Sequence, residues 1–243
     1  MTMPELIISG CSRRYAELAT LLGYGYGHSS DAGQPRREPV DFLDSEDYRH
    51  VNLRKHLQAA IRLRPRYVVL PDVYQASDVA RTLKVAASFA RYCQYVIVVP
   101  KADGVMSALP YDQQIVIGLS VPSSHGGYFD FPTLYAGRLV HLLGGGPETQ
   151  RNNLRGQINW ARQLWAVGAT LLSTDSNYAA KVARYGMIFR AGSGSQRSGW
   201  LPARELGSEV TADVPYIAFE RSLINIRQAW QRALVALRRE DEV

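Results

Sequence analysis

Short apolar segments rich in Val, Ile and Leu recur along the chain. Within each segment the hydrophobic positions are nearly continuous and do not alternate with polar ones, which is typical of strands buried on both faces. The pattern therefore predicts eight strands, at residues 6–8, 40–43, 67–70, 95–99, 115–117, 139–143, 169–172 and 187–189.

Segments with a helical period separate several of these strands. Apolar residues recur every three or four positions over 53–63, 79–90, 149–167 and 220–239. Strands and helices that alternate in this way imply right-handed crossovers and a parallel sheet. We expect an α/β fold, a compact (β/α)8 TIM-like barrel formed by residues 1–243 as one domain. The alternative is an open, doubly wound sheet.

Two stretches rich in Gly and Ser interrupt this pattern, at residues 23–39 and 191–198. Both are interpreted as surface loops. Either stretch could instead act as a lid or contact a nucleic acid.

The composition excludes several classes of protein. The chain is 46% hydrophobic and 21% charged, which is ordinary for a globular protein. No apolar run approaches the ~20 residues of a membrane helix, and no signal peptide is apparent, so we expect a cytoplasmic protein without a membrane partner. Two cysteines, Cys11 and Cys93, are too few for a disulfide framework or a four-cysteine zinc site. We expect neither a metal nor a cofactor. The net charge of +6 is compatible with nucleic acid or with small anions.

Three aspartates, Asp44, Asp72 and Asp175, follow separate predicted strands. Parallel barrel strands open their carboxyl ends on one face, so these side chains should meet at one mouth. Each aspartate taken singly could be a helix N-cap instead. Carboxylates that are packed together acquire different pKa values, because repulsion and lost hydration raise one of them. This would supply an acid/base and an ionised nucleophile, the pair that glycosidic bond cleavage uses.

The run Gly144, Gly145 and Gly146 follows another predicted strand. Such a turn can expose backbone N–H groups to a phosphate or let a base lie against the chain, but it can also be a simple tight turn. Cys11 is interpreted as a small residue at a strand end, and His141 as a core histidine with satisfied hydrogen bonds.

The order of these motifs resembles the tRNA-guanine transglycosylase family, and more closely its zinc-less relatives associated with deazapurine modification of DNA. The matching pieces extend over about residues 40–186. They are Asp44-Ser45, Leu70-Pro71-Asp72, Gly118-Leu119-Ser120-Val121, residues 142–147, and the segment 168–186 that contains Asp175.

The resemblance implies a base exchange in nucleic acid. Asp175 would attack the sugar C1′ and form a covalent intermediate, and Asp44 would protonate the departing guanine and deprotonate the incoming base. Asp72 would accept hydrogen bonds from the N1–H and amino groups of the base. Gly118 and Leu119 would offer backbone groups to the carbonyl edge of the base, and the turn of Gly144, Gly145 and Gly146 would flank the ribose or the base. Lys101 and Ser120 complete the set of expected substrate-binding residues. The target nucleotide would have to be flipped out of its stack or presented in a loop.

The chain also departs from the family pattern. Lys101 replaces the family's Gln, and Glu46-Asp47 replaces a glycine pair, which leaves Asp41 as a rival of Asp44 for the acid/base role. The Cys-rich zinc motif and the RNA-binding module are absent. These differences favour DNA over tRNA as the acceptor, or a partner subunit that binds the nucleic acid.

We therefore hypothesise a glycosyltransferase that exchanges guanine for a 7-deazaguanine base. One alternative is an N-glycosidase or nucleosidase on the same barrel. Another is a non-catalytic subunit that binds nucleic acid through the Arg-bearing faces of the helices at 149–167 and 220–239.

Overall fold

The computed structural model describes residues 2–45, 51–121, 132–144, 153–190, 199–206 and 213–240. Eight parallel strands form a closed barrel, in which the first strand pairs with the eighth. The predicted TIM-like barrel is confirmed, and the open sheet is excluded. The strands are β1 (Glu5–Ser9), β2 (Gly25–Ser29), β3 (Phe42–Asp44), β4 (Tyr67–Val69), β5 (Tyr95–Val98), β6 (Ile115–Ser120), β7 (Leu139–Leu143) and β8 (Thr170–Ser176).

Strand β2 lies within the stretch 23–39 that the sequence predicts as a loop. Gly27 faces β1, where an added Cβ would lie 2.8 Å from the Cβ of Ser9. The prediction was wrong here because the close approach of these two strands requires glycine, and a glycine-rich segment has the composition of a loop.

The predicted strand at 187–189 is real but lies outside the barrel. It forms β9 (Met187–Arg190), which pairs antiparallel with β10 (Gly199–Pro202) in a separate sheet. The prediction of a barrel strand was wrong because an apolar run indicates burial but not the partner. Phe189 is buried against a long C-terminal helix, and its N–H donates to the Ser222 hydroxyl of that helix.

Helices follow most of the barrel strands. They are α1 (Arg13–Leu21), α2 (Leu53–Leu63), α3 (Val79–Phe89), α4 (Asp103–Ala108), α5 (Asn153–Ala166), α6 (Tyr178–Ala183) and α7 (Val214–Glu240). The predicted helix at 53–63 is present with the same bounds, and those at 79–90, 149–167 and 220–239 are present with different bounds. Helix α7 begins several residues earlier than the pattern indicated. The predicted loop at 191–198 and residues 149–152 lie outside the described residues.

The apolar residues form two buried layers. The larger layer lies between the barrel and the helices. The smaller layer fills the barrel and consists of Ile7, Phe42, Tyr67, Val69, Ile97, Val99 and Val116. Within the described part of the chain, no helix has the length and apolar character needed to cross a bilayer.

Candidate active site

The barrel mouth at the carboxyl ends of the strands collects most of the predicted site residues. Asp44 ends β3, Ser120 ends β6, and Asp175 is the penultimate residue of β8. Asp72 and Lys101 follow β4 and β5. The charges of Asp175 and Asp72 both act on Asp44, so the three aspartates face one another across the mouth.

Asp175 is surrounded by hydrogen-bond donors. Its Oδ1 accepts a 3.1 Å hydrogen bond from the Gly144 N–H and lies 3.3 Å from His141 Nε2. Its Oδ2 is 3.5 Å from the Ser9 hydroxyl. Gln157 donates to the Asp175 backbone carbonyl at 3.3 Å, which fixes the end of β8. The donors around Asp175 suit an ionised carboxylate, which can only accept hydrogen bonds.

A β-bulge aims Asp175 into the barrel. Val140 pairs with Leu171, whereas His141 pairs with Ser173, so Leu172 is an additional residue in β8. Bulges of this kind redirect the side chains that follow and are common beside active sites. Beyond the bulge, Ser173 and Asp175 both face the interior and contact His141.

Asp44 has the opposite environment. Its Oδ1 accepts a hydrogen bond of 2.7 Å from the Ser45 N–H. Loss of hydration raises the pKa of Asp44 to about 7, and the nearby charges of Asp175, Asp72 and Asp31 add to this effect. Asp44 is therefore suited to give and take a proton near neutral pH, unlike an ordinary aspartate.

Asp72 forms a buried ion pair with Lys101. Lys101 Nζ lies 3.3 Å from Asp72 Oδ2 and donates to Ser120 Oγ at 2.8 Å. The side chains of Lys101 and Asp72 are only 5% and 8% exposed. The Tyr74 hydroxyl also donates to Asp72 Oδ2, at 3.3 Å. Because a carboxylate can accept about four hydrogen bonds, this pairing is compatible with recognition of a base.

Asp41 lies at the opposite end of the barrel from Asp44. It precedes β3, and its Oδ2 accepts a hydrogen bond of 2.8 Å from the Tyr26 N–H. Of these two candidates for the acid/base role, only Asp44 is at the mouth.

None of the three aspartates is a helix N-cap. The N-cap residues of α2, α3 and α6 are Asn52, Asp78 and Asn177. The capping interpretation of Asp44, Asp72 and Asp175 is therefore not supported.

The predicted glycines have different positions. Gly144 is at the mouth, where an added Cβ would lie 2.7 Å from the backbone oxygen of Asp175. Gly145 and Gly146 lie outside the described residues. Gly118 lies within β6, and a Cβ there would lie 2.8 Å from Ile97 and from Val99, so its small size serves packing inside the barrel. The Leu119 side chain is buried in the outer layer. The expected role of Leu119 concerns its backbone groups, next to the last residue of β6, and stays a prediction.

Sequence reasoning missed three groups at or below the mouth. His141 is fully buried, as expected for a core histidine, but one of its two partners is Asp175. Asp31, which follows β2, accepts a hydrogen bond of 2.8 Å from the Ser45 hydroxyl. Ser173 bonds to His141 at 2.7 Å. For His141 and Ser173, the signal available in the sequence was a polar residue at an inward position of an apolar strand.

No set of three or more His, Cys, Asp or Glu side chains in the described ranges is arranged to hold a metal ion. A comparison with curated proteins found no match to this chain. A family model covers residues 16–231, which is most of the chain. On this match the chain belongs to DUF6610, a family of unknown function.

Proposed function

We propose that this protein is a base-exchanging transglycosylase that replaces guanine in nucleic acid, with DNA favoured over tRNA, by a 7-deazaguanine. The observation that carries the proposal is the contrast between Asp175 and Asp44 in one barrel mouth. Asp175 is held by donors, as a nucleophilic carboxylate should be, whereas burial raises the pKa of Asp44 to about 7. Two carboxyl groups with separated roles are what glycosidic bond exchange requires.

In the first step, an Asp175 oxygen forms a bond to C1′ of the flipped nucleotide while the bond from C1′ to the base breaks. The electron pair of the broken bond goes to the base nitrogen, and protonated Asp44 supplies its proton. In the second step, Asp44 removes a proton from the incoming deazapurine, whose nitrogen then forms the new bond to C1′. The bond between C1′ and Asp175 breaks, so the carboxylate is restored and no redox partner is needed.

Asp72 and Lys101 are proposed to bind the base. The carboxylate suits the N1–H and amino donors of a guanine-like ring, and the Lys101 ammonium suits an acceptor such as its carbonyl oxygen. Their mutual contact of 3.3 Å holds both groups in place before the base arrives. Gly144 contributes an N–H to Asp175, so its role is to hold the nucleophile.

The first experiment asks whether a covalent adduct forms. The protein is mixed with guanine-containing DNA or tRNA, denatured, and separated from unbound nucleic acid, and a labelled 7-deazaguanine is then offered to an undenatured sample. We expect an adduct and incorporation of label with the wild-type protein and neither with Asp175→Asn. An adduct that persists in Asp175→Asn would contradict the assignment.

A matched pair of variants tests the acid/base role. Asp44→Asn should slow adduct formation by about 100-fold or more, within the usual contribution of general acid catalysis. Asp41→Asn changes the same residue type at the other end of the barrel and should leave the adduct rate unchanged. Release of free base without incorporation of label would instead indicate an N-glycosidase. Salt-sensitive binding without any adduct would indicate a non-catalytic subunit.

A further inference from the structure

Polar side chains lie along the barrel axis below Asp175. His141 Nε2 lies 3.3 Å from Asp175 Oδ1, and His141 Nδ1 lies 2.7 Å from the Ser173 hydroxyl. Further down the barrel, the Tyr67 hydroxyl donates to Glu5 Oε2 at 3.0 Å. Glu5 also forms an ion pair of 2.9 Å with Arg66.

These groups lie in a region that apolar side chains fill in most TIM barrels. His141 and Ser173 are fully buried, and Tyr67 is 2% exposed. Phe42 stacks on the His141 ring with centroids 5.0 Å apart. Buried polar groups of this kind cost stability unless each one is satisfied, so the two hydrogen-bond partners of His141 and the stacked Phe42 fix the orientation of its ring.

The two partners of His141 determine where the imidazole hydrogen lies. A neutral His141 must present a donor to the Asp175 carboxylate, because a ring lone pair facing that carboxylate would be repelled. The hydrogen is then on Nε2, and Nδ1 accepts from the Ser173 hydroxyl.

The same contacts distinguish the two oxygens of Asp175. Oδ1 is held by both the Gly144 N–H and His141, whereas among the described residues Oδ2 faces only the more distant Ser9 hydroxyl. An oxygen that already accepts two hydrogen bonds is the poorer nucleophile. Oδ2 is therefore the oxygen directed at the substrate.

We propose that His141 is a positioning residue, fixed as the Nε2–H tautomer by its contacts with Asp175 and Ser173, which holds Asp175 Oδ1 and presents Oδ2 for attack. This role rests on the proposed function, because the attack on C1′ belongs to it. The tautomer itself is a property of the folded protein and can be measured without a substrate.

Two substitutions at His141 separate positioning from packing. In His141→Gln the longer side chain can place an amide N–H near the former Nε2 and still donate to Asp175. In His141→Asn the shorter amide retains a group near Ser173 but loses that donor. We expect His141→Asn to slow single-turnover adduct formation by about 100-fold, the size of one lost donor to a reacting group, with unchanged affinity for nucleic acid. His141→Gln should stay within about tenfold of the wild type.

A second pair of variants controls for the loss of any buried hydroxyl. Ser173→Ala removes the hydroxyl that holds the His141 ring at Nδ1. Ser222→Ala removes an equally buried hydroxyl, which bonds to Ala218 and Phe189 in the outer layer. Only Ser173→Ala should slow adduct formation. Equal adduct rates in the two His141 variants, or in the two serine variants, would overturn the proposal.

Nitrogen-15 NMR of the ring, assigned against His141→Asn, provides the measurement that does not depend on activity. We expect a protonated Nε2 and an unprotonated, hydrogen-bonded Nδ1 in the wild type, and an unprotonated Nδ1 without this hydrogen bond in Ser173→Ala. A protonated Nδ1 facing Ser173 would overturn the proposal. If the wild type forms no adduct with DNA or tRNA, the proposed function fails, and the NMR spectrum alone then decides whether His141 is held as described.

Discussion

Asp44→Asn should stabilise the folded protein, and the gain should depend on pH. Burial raises the pKa of Asp44 to about 7 from 3.8, so the folded state holds a proton that the unfolded state releases between these values. Wild-type stability therefore falls as the pH rises from about 4 to about 7, and is level above that range. Asparagine cannot ionise, and its side-chain oxygen can still accept from the Ser45 N–H.

The magnitude follows from the difference between the two pKa values. About three units at 1.36 kcal/mol each correspond to about 4 kcal/mol as an upper limit. Asp44 is only partly buried, and the hydration that it retains reduces the free-energy cost of ionising its carboxyl group. We therefore expect a gain of about 2 kcal/mol in the free energy of unfolding above pH 7 and almost none near pH 4.

Urea denaturation of the wild type and Asp44→Asn at a series of pH values measures this difference directly. A second variant, Asp175→Asn, removes one of the charges that raise the pKa of folded Asp44, so the decline in stability with pH should be smaller and should level off at a lower pH than in the wild type. A stability difference between wild type and Asp44→Asn that is constant from about pH 4 to pH 8 would contradict this expectation, because it would show that Asp44 has an ordinary pKa. Such a result would also remove the main support for its role as a general acid.

Three further outcomes are expected. The rate of adduct formation should fall as the pH rises through about 7, because Asp44 then loses the proton it must donate; a flat profile in a single-turnover assay would contradict this. Lys101→Met should lower the free energy of unfolding by about 3–5 kcal/mol, because it removes the ammonium group that faces the buried Asp72 carboxylate, and adding Asp72→Asn should recover much of the loss in the same denaturation assay. Gly27→Ala should cost about 1–3 kcal/mol, because its Cβ would lie 2.8 Å from that of Ser9, whereas Gly33→Ala, which has no neighbour within 4 Å, should be nearly neutral in thermal unfolding.

The candidate site was predictable only where a residue follows a recognisable strand. Asp44, Asp72 and Asp175 were found because parallel strands bring their carboxyl ends to one face, whatever the order of the loops. His141 gave a weaker signal. A histidine inside an apolar strand is buried in either interpretation, and its contact with Asp175 depends on a bulge at Leu172 that no local pattern indicates.

The pattern of apolar residues along the chain is enough to identify the class of fold. Continuous apolar runs separated by helical stripes predict a parallel barrel, because strands buried on both faces need apolar residues at nearly every position. Which strands close the barrel, and which groups each charge faces, depends on contacts between distant segments of the chain. The glycines of β2 have the composition of a loop, and only their close contact with β1 explains why they form a strand. The apolar β9 resembles a barrel strand in sequence, but in the fold it pairs with β10 and packs against α7. The pKa of Asp44 likewise depends on carboxylates far away in the chain, because electrostatic and packing energies depend on distance in space and not along the sequence.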